Sequence, residues 1–86
     1  MKIRIALYGA LREAEASGHV ELEVPAGSRI AELRELLATH VCEHAPAIPA
    51  GLVRRSAFAS VEEILHNHRA VPEGVELAVL PPVSGG

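Results

Sequence analysis

Residues 75–86 read Val-Glu-Leu-Ala-Val-Leu-Pro-Pro-Val-Ser-Gly-Gly, and this stretch contains both a strand and the signal that ends it. Apolar residues at alternate positions predict a strand over residues 75–80 with one buried face. The side chains that we expect to face the core are Val75, Leu77 and Val79. The prolines that follow donate no backbone hydrogen bond and fix φ, so they favour an extended segment. We therefore expect a folded domain at 1–80 and an extended C-terminal tail at 81–86.

A second alternating stretch lies at the other end of the chain, where residues 2–8 read Lys-Ile-Arg-Ile-Ala-Leu-Tyr. It predicts another strand with a single buried face. Good helix formers at residues 10–17, followed by Gly18, predict a short helix that ends at this glycine. Alternation returns at residues 19–24 and stops at Pro25, which predicts the next strand.

The longest predicted element is a helix that begins at Ser28, a residue type favoured at the N-cap. Apolar residues then recur at helical spacing over about three turns, with charged residues between them directed to water. These apolar residues are Ile30, Leu33, Leu37 and Val41. Residues 44–51 contain two prolines and predict a connecting loop.

Shorter strands complete the predicted fold. Residues 52–61 contain a strand whose buried face is ambiguous, because Arg54 and Arg55 interrupt the alternation. These arginines would either face water from that strand or pair with acidic residues of a partner. A short strand near Ile64–Leu65 and a turn at 72–74 precede the final strand.

This order of elements predicts an α+β fold in which one main helix covers one face of a mixed sheet of about four to five strands. The first and last strands are expected side by side at the centre of the sheet, which is the β-grasp, or ubiquitin-like, arrangement. The opposite face of the sheet is then left open. It would carry Ala6, Tyr8, Ala78 and Leu80, either as an apolar docking surface or as an ordinary scatter of small apolar side chains.

Composition limits the class of protein. The chain has 86 residues, 49% hydrophobic and 22% charged, which is enough for one core and argues against disorder. A net charge of −3 without a basic face excludes an ordinary nucleic-acid binder. The single cysteine, Cys42, fits a reducing cytoplasm, and no apolar run is long enough to span a membrane. A chain this small leaves little room for a catalytic cleft, so a carrier or partner subunit is expected rather than a free-standing enzyme.

The tail carries the chemistry that the folded domain lacks. Gly85 and Gly86 have no side chains, so a narrow channel in another protein could admit them and bring the terminal carboxylate to a reacting centre. Attack of that carboxylate on ATP would give an acyl adenylate, which a sulfur nucleophile could open to a C-terminal thiocarboxylate. No side chain of this protein is needed for that chemistry. The plain alternative is a frayed terminus.

Two segments carry a family resemblance: Gly-Val-Glu-Leu-Ala-Val-Leu-Pro-Pro-Val-Ser-Gly-Gly at residues 74–86 and Leu-Tyr-Gly-Ala-Leu-Arg-Glu at residues 7–13. With the chain length and strand order, they resemble the small subunit of molybdopterin synthase, the sulfur-carrier protein of molybdenum-cofactor biosynthesis. One departure is Val61, at a position where that family commonly has Asn. Another is the basic, histidine-containing stretch at residues 65–69.

The resemblance implies that Gly86 is adenylated by a ubiquitin-activating-like partner that uses ATP, and is then converted to a thiocarboxylate. The tail would next enter the large synthase subunit and give its sulfur to cyclic pyranopterin monophosphate within a heterotetramer. The active-site side chains belong to the large subunit in that family, so this chain would not be catalytic alone and would bind no cofactor or metal. Besides Gly86, the expected partner-contact residues are Gly85, Ser84, Val83, Pro82, Pro81, Leu80, Ala78, Tyr8 and Arg12.

Two histidine-containing stretches have a simpler interpretation. His40-Val41-Cys42-Glu43-His44 fits the H-x-x-E-H pattern of some zinc peptidases, but it lacks a third ligand and a substrate cleft. We expect a solvated helix end with both imidazoles near the last carbonyls, and adventitious metal binding through His40, Cys42 and His44 is the alternative. The pair His66 and His68 offers too few ligands for a metal site.

Other functions keep part of this chemistry. A sulfur carrier for thiamine or cysteine biosynthesis would use the same thiocarboxylate with a different acceptor. A ubiquitin-like modifier would instead form an amide bond to a target lysine, and Lys2 is the only lysine available for chains of the protein itself. An inert interaction domain would leave the tail without a purpose.

Overall fold

The computed structural model describes residues 1–82, except for the side chain of Ala50. The strands are β1 Lys2–Leu7, β2 His19–Glu23, β3 Ala57–Ala59, β4 Ile64–Leu65 and β5 Leu77–Leu80. They form a five-stranded sheet of order β2-β1-β5-β3-β4. The central neighbours β1 and β5 are parallel, whereas β1–β2, β3–β4 and β3–β5 are antiparallel.

Helices connect the strands. A 3-10 helix at Gly9–Ala14 joins β1 to β2, α1 at Ile30–His44 follows β2, and α2 at Ala50–Arg54 precedes β3. Helix α1 packs its apolar side chains on one face of the sheet, as the helical spacing predicted. This is the predicted α+β, β-grasp architecture. Over residues 1–82, no helix has the length and apolar character needed to cross a membrane.

One apolar core lies between the sheet and α1. The buried side chains of each element follow its own period, which is two in the strands and about 3.6 in the helix. Full burial of each large apolar side chain contributes about 1.5–3 kcal/mol of transfer free energy. The largest fully buried side chains include Ile3 and Ile5 from β1, Leu77 and Val79 from β5, Ile30, Leu33 and Leu37 from α1, and Phe58 from β3.

The start of α1 differs from the prediction by one residue, because the N-cap is Arg29 rather than Ser28. Glu32 provides the cap: its carboxylate accepts a hydrogen bond from the Arg29 backbone N–H at 2.8 Å. Ser28 is buried, and its carbonyl accepts a hydrogen bond from the Val71 N–H at 2.9 Å. Ser28 is therefore used to connect α1 to the loop before β5.

The strand predicted within residues 52–61 is present, but the prediction that Arg54 and Arg55 belong to it is wrong. Arg54 is the last residue of α2, Arg55 is its C-cap, and the strand is limited to Ala57–Ala59. A contact that is remote in sequence explains the difference, since the Arg34 guanidinium of α1 holds the end of α2. Its nitrogens donate to the carbonyls of Val53 at 3.3 Å, Arg54 at 3.2 Å and Ser56, and to Asn67 Oδ1 at 3.0 Å.

Two further elements, the helix after β1 and the strand β5, are shorter than predicted. The helix after β1 ends at Ala14, and Gly18 (φ +80°) instead forms the turn into β2, where its carbonyl accepts a hydrogen bond from the Leu7 N–H at 2.8 Å. Val75 precedes β5 and is 46% exposed, so the prediction that it faces the core is wrong. The turn predicted before it is present, with Gly74 at φ +78°.

Candidate functional site

The tail begins at the centre of the sheet. β5 is bonded on both sides, because Leu7 of β1 is in register with Val79 and Ala57 of β3 is in register with Leu80. Pro81 and Pro82 follow directly and lie outside the strand, as the sequence predicted. The predicted contact residues Val83, Ser84, Gly85 and Gly86 lie outside the described residues. The segment that should react is thus attached to a central strand.

Pro81 is in close contact with Gly9, the residue at which the chain turns from β1 into the 3-10 helix. Gly9 has φ +58°, a conformation that glycine adopts readily and other residues rarely. A Cβ atom built on Gly9 would lie 2.8 Å from Pro81 Cγ, well inside van der Waals contact. The lack of a side chain at Gly9 therefore allows the proline ring to pack on the backbone of the β1 turn.

The open face of the sheet carries a shallow apolar surface beside this contact. The register aligns Ala6, Ala78 and Ala59 across β1, β5 and β3. Tyr8 and Leu80 stand at one end of this floor and are 47% and 37% exposed. We call these residues the open-face patch: Ala6, Tyr8, Ala59, Ala78 and Leu80.

The open-face patch lines a depression of about 270 Å³. The four residues predicted for this surface all lie in it, which confirms their placement and leaves their docking role as a prediction. Ala59 and Val61 also line the depression, although the sequence pattern did not predict them there. Val61 is 97% exposed, and its replacement of a commonly polar residue was the only sequence signal that pointed to this loop.

The rim of the depression is polar. The Glu76 carboxylate lines it and accepts a hydrogen bond from Arg4 Nε at 3.0 Å, while His19 Nε2 lies 3.3 Å from the same oxygen. A neighbouring depression of about 420 Å³ shares Ser60, Val61 and Glu76 with it. In that second depression, the hydrogen bond and ion pair with Arg69 lower the pKa of Glu63. An apolar floor with a charged rim is the usual composition of a protein–protein interface.

Arg12, the remaining predicted contact residue, is exposed and does not line the depression. A Cβ atom on Gly18 would lie 3.4 Å from Arg12 Nη2, so the guanidinium sits against the turn into β2. The structure therefore does not group Arg12 with Tyr8 and Leu80.

The histidine cluster at the end of α1 makes structural contacts. His40 Nε2 lies 3.1 Å from Glu15 Oε2, and the His40 and His44 rings stack with their centroids 4.0 Å apart. His44 Nδ1 is 2.8 Å from the His40 carbonyl oxygen, as expected for a capped helix end. Cys42 is exposed and lies in a separate depression with Arg54. Among residues 1–82, no group of three or more His, Cys, Asp or Glu side chains is placed to hold a metal ion.

Comparison with known proteins gives matches at the level of family and structure. The family model described as the ThiS family matches residues 5–86. SAMP1 from Haloferax volcanii is 25% identical over 100% of both chains, with a TM-score of 0.69. A second structure, described as H. volcanii small archaeal modifier protein 1, is 23% identical over 95% of this chain and 98% of that chain, with a TM-score of 0.65.

A third similar structure is a Pyrococcus furiosus protein assigned as molybdopterin converting factor, subunit 1. It is 19% identical over 96% of this chain and 99% of that chain, with a TM-score of 0.68. At this identity the likeness concerns the fold. Among curated proteins, no sequence matches the chain.

Proposed function

The chain belongs to the ThiS family of ubiquitin-like sulfur carriers, and from that premise we propose that it carries sulfur as a thiocarboxylate at Gly86 for molybdopterin synthesis. The observation that carries this proposal is the family match over residues 5–86, which includes Pro-Pro-Val-Ser-Gly-Gly directly after β5. The choice of molybdopterin among the possible products rests on the resemblance of residues 74–86 to the synthase small subunit.

Activation begins at the carboxylate of Gly86. One carboxylate oxygen attacks the α-phosphate of ATP, which forms an acyl adenylate and releases pyrophosphate. A sulfide equivalent then attacks the acyl carbon, the bond to AMP breaks, and a thiocarboxylate and AMP are the products. The nucleotide site and the catalytic groups belong to a ubiquitin-activating-like partner, because this chain supplies only the acyl group.

Sulfur is then delivered in the active site of the large synthase subunit. The thiocarboxylate sulfur forms a bond to a carbon of cyclic pyranopterin monophosphate as a carbon–oxygen bond at that carbon breaks, and the oxygen leaves as water or stays on the phosphate. Water then cleaves the acyl carbon–sulfur bond. The cleavage returns the Gly86 carboxylate, so the carrier can be loaded again. Because a dithiolene contains a pair of sulfur atoms, each product consumes a pair of loaded carriers.

The open-face patch is the surface by which both partners would hold the carrier. Its alanine floor lets a partner backbone approach closely, and Tyr8 and Leu80 offer exposed apolar area next to Pro81. Burying apolar surface contributes about 25 cal/mol per Å², and the exposed charges of the rim add orientation. A partner bound here would lie directly beside Pro81, where the tail begins.

The test is intact-mass analysis after incubation with the activating partner, ATP and a sulfur donor. We expect a species in which one oxygen of wild-type protein has been replaced by sulfur, and fragmentation should locate the change at Gly86. Gly86→Ala should give none of this species, while its thermal unfolding midpoint stays that of wild type. Failure of wild type to gain sulfur would refute the proposal, and an equally loaded Gly86→Ala variant would refute the role of Gly86.

A second candidate is a ubiquitin-like protein modifier, because a structure described as a small archaeal modifier protein resembles this chain over 95% of its length at 23% identity. In that case the activated Gly86 would form an amide bond to a lysine of another protein. Conjugates of high mass that resist reductant would support the modifier. Carriers for thiamine or cysteine biosynthesis share the loading step, and they would be recognised by the acceptor that removes the sulfur from the loaded protein.

A further inference from the structure

We propose that the contact between Gly9 and Pro81 is a positioning element, which fixes the direction of the tail relative to the open-face patch and acts on the reaction of Gly86 rather than on docking. This inference rests on the proposed function, since it concerns how the carrier presents its reactive end. The contact joins the turn after β1 to the first residue after β5.

The parallel register brings these two positions together. Leu7 is paired with Val79, so continuing along both strands places Tyr8 near Leu80 and Gly9 near Pro81. Tyr8 and Leu80 are the exposed residues of the open-face patch, and each is bonded directly to one partner of the contact. A protein that binds Tyr8 and Leu80 therefore lies next to Gly9 and Pro81, where the tail begins.

Gly9 meets two requirements at once. Its φ of +58° lies in the left-handed region, and its Cβ position is already filled by the ring of Pro81. A Cβ 2.8 Å from Pro81 Cγ would have to move to an ordinary contact of about 3.5–4.0 Å, so any side chain at Gly9 displaces the ring by about 1 Å. Proline limits other adjustments because its φ is fixed by the ring.

A displacement at Pro81 is amplified along the chain. In the extended conformation that a narrow channel would impose, a segment of five residues spans about 15 Å. A ring displacement of about 1 Å tilts that segment, and misplacement of reacting atoms by about 1 Å can reduce a rate by about 100-fold. The binding energy of the open-face patch is unchanged by this tilt, so the effect should fall on kcat and leave KM nearly constant.

The experiment is ATP–pyrophosphate exchange catalysed by the activating partner, with the full chain as the varied substrate. We expect Gly9→Ala to lower kcat by about tenfold or more with a nearly unchanged KM. Gly27→Ala is the matched control, because Gly27 also has a positive φ (+86°) but no atom lies within 4 Å of its Cβ position. Gly27→Ala therefore introduces only the strain of a side chain at positive φ, and its kcat should equal that of wild type.

A double-mutant cycle with Pro81→Ala isolates the contact. Truncation of the ring removes Cγ, so we expect Pro81→Ala to lower kcat by itself and to abolish the additional effect of Gly9→Ala. If Gly9→Ala does not fold, Pro81→Ala alone still reports a loss of kcat at constant KM.

Equal kcat for wild type, Gly9→Ala and Pro81→Ala would overturn this inference and leave the carrier function intact. Additive effects of the two substitutions, or a rise in KM in place of a fall in kcat, would also overturn it. Wild-type protein that supports no exchange and gains no sulfur would overturn the proposed function and this inference with it.

Discussion

We expect Arg34→Met to destabilise the domain by about 3 kcal/mol, because this side chain holds the end of α2 against α1 and β3. Its Nη1 donates to the carbonyls of Val53 and Ser56, both buried residues, and the guanidinium lies 5.0 Å from the centroid of the Phe58 ring. In the variant the Val53 carbonyl still accepts a hydrogen bond from the Ser56 N–H at 3.1 Å, so the Ser56 carbonyl is the buried acceptor that loses its Arg34 donor. This loss costs about 1–3 kcal/mol, and the lost cation–π contact adds about 0.5–2 kcal/mol. Together these two effects cost about 1.5–5 kcal/mol. Because water can reach part of the site, we expect a loss near the middle of this range.

Urea unfolding followed by circular dichroism measures this loss. Wild type should have a free energy of unfolding of about 4–13 kcal/mol for its length, so a loss of about 3 kcal/mol is a large fraction. The corresponding decrease in Tm is about 12–24 °C for a domain of this size.

Arg54→Met is the matched control, because the same substitution then removes a single ion pair with Glu35 in which both side chains are more than half exposed. We expect its unfolding midpoint to stay close to that of wild type. Arg34→Lys should be intermediate, since lysine keeps the charge but cannot spread donors over four acceptors. A loss below about 1 kcal/mol for Arg34→Met would refute the conclusion that Arg34 holds the end of α2.

Two other predictions concern the surface. Tyr8→Arg and Leu80→Arg should each weaken binding of the activating partner at least tenfold, a change of about 1.4 kcal/mol. Leu36→Arg on α1 is the control and should bind like wild type. Equal binding by all three variants, measured by calorimetry, would exclude the open-face patch as the docking surface. The hydrogen bond and charge of Arg69 lower the pKa of Glu63 in the folded state. The stability that this pair adds is therefore complete above the ordinary carboxyl pKa of 4.5. It is lost as the pH falls through the lower pKa of the folded state. Glu63→Gln should thus be less stable than wild type at neutral pH, and the two unfolding midpoints should converge in acid; a constant difference would contradict this assignment.

The elements with a clear hydrophobic period were predictable from sequence. Residues 2–8 and the helix after Ser28 bury one face each, and the structure has β1 and α1 at these positions. The pairing of β1 with β5 followed from the order of elements and the rule for crossover connections. Because strand period fixes the face of each residue, the grouping of Ala6, Tyr8, Ala78 and Leu80 was predictable as well. The family match confirms a ubiquitin-like sulfur carrier.

The errors share a physical cause, which is the dependence of local structure on distant partners. Residues 50–54 form a helix whose terminal carbonyls accept hydrogen bonds from Arg34, a residue of the preceding helix. Ser28 is a good N-cap by type, but its carbonyl is used by Val71 and the cap moves to Arg29. Period and propensity are properties of neighbours along the chain, so neither could reveal these contacts.

The hydrogen bonds of Arg34 and the start of the tail at Pro81 are both connected to β3. This raises the question of whether a loss of stability at Arg34 also changes the direction of the tail. Arg34 holds the Ser56 carbonyl, and the next residue, Ala57, is in register with Leu80. Loss of that bond could therefore move β5 and Pro81. Against this, β5 is also paired with β1, and Pro81 packs on Gly9 from that side. We therefore expect folded Arg34→Met protein, assayed well below its Tm, to keep the wild-type kcat in pyrophosphate exchange. A kcat that falls with intact folding would mean that β3 as well as β1 fixes the direction of the tail.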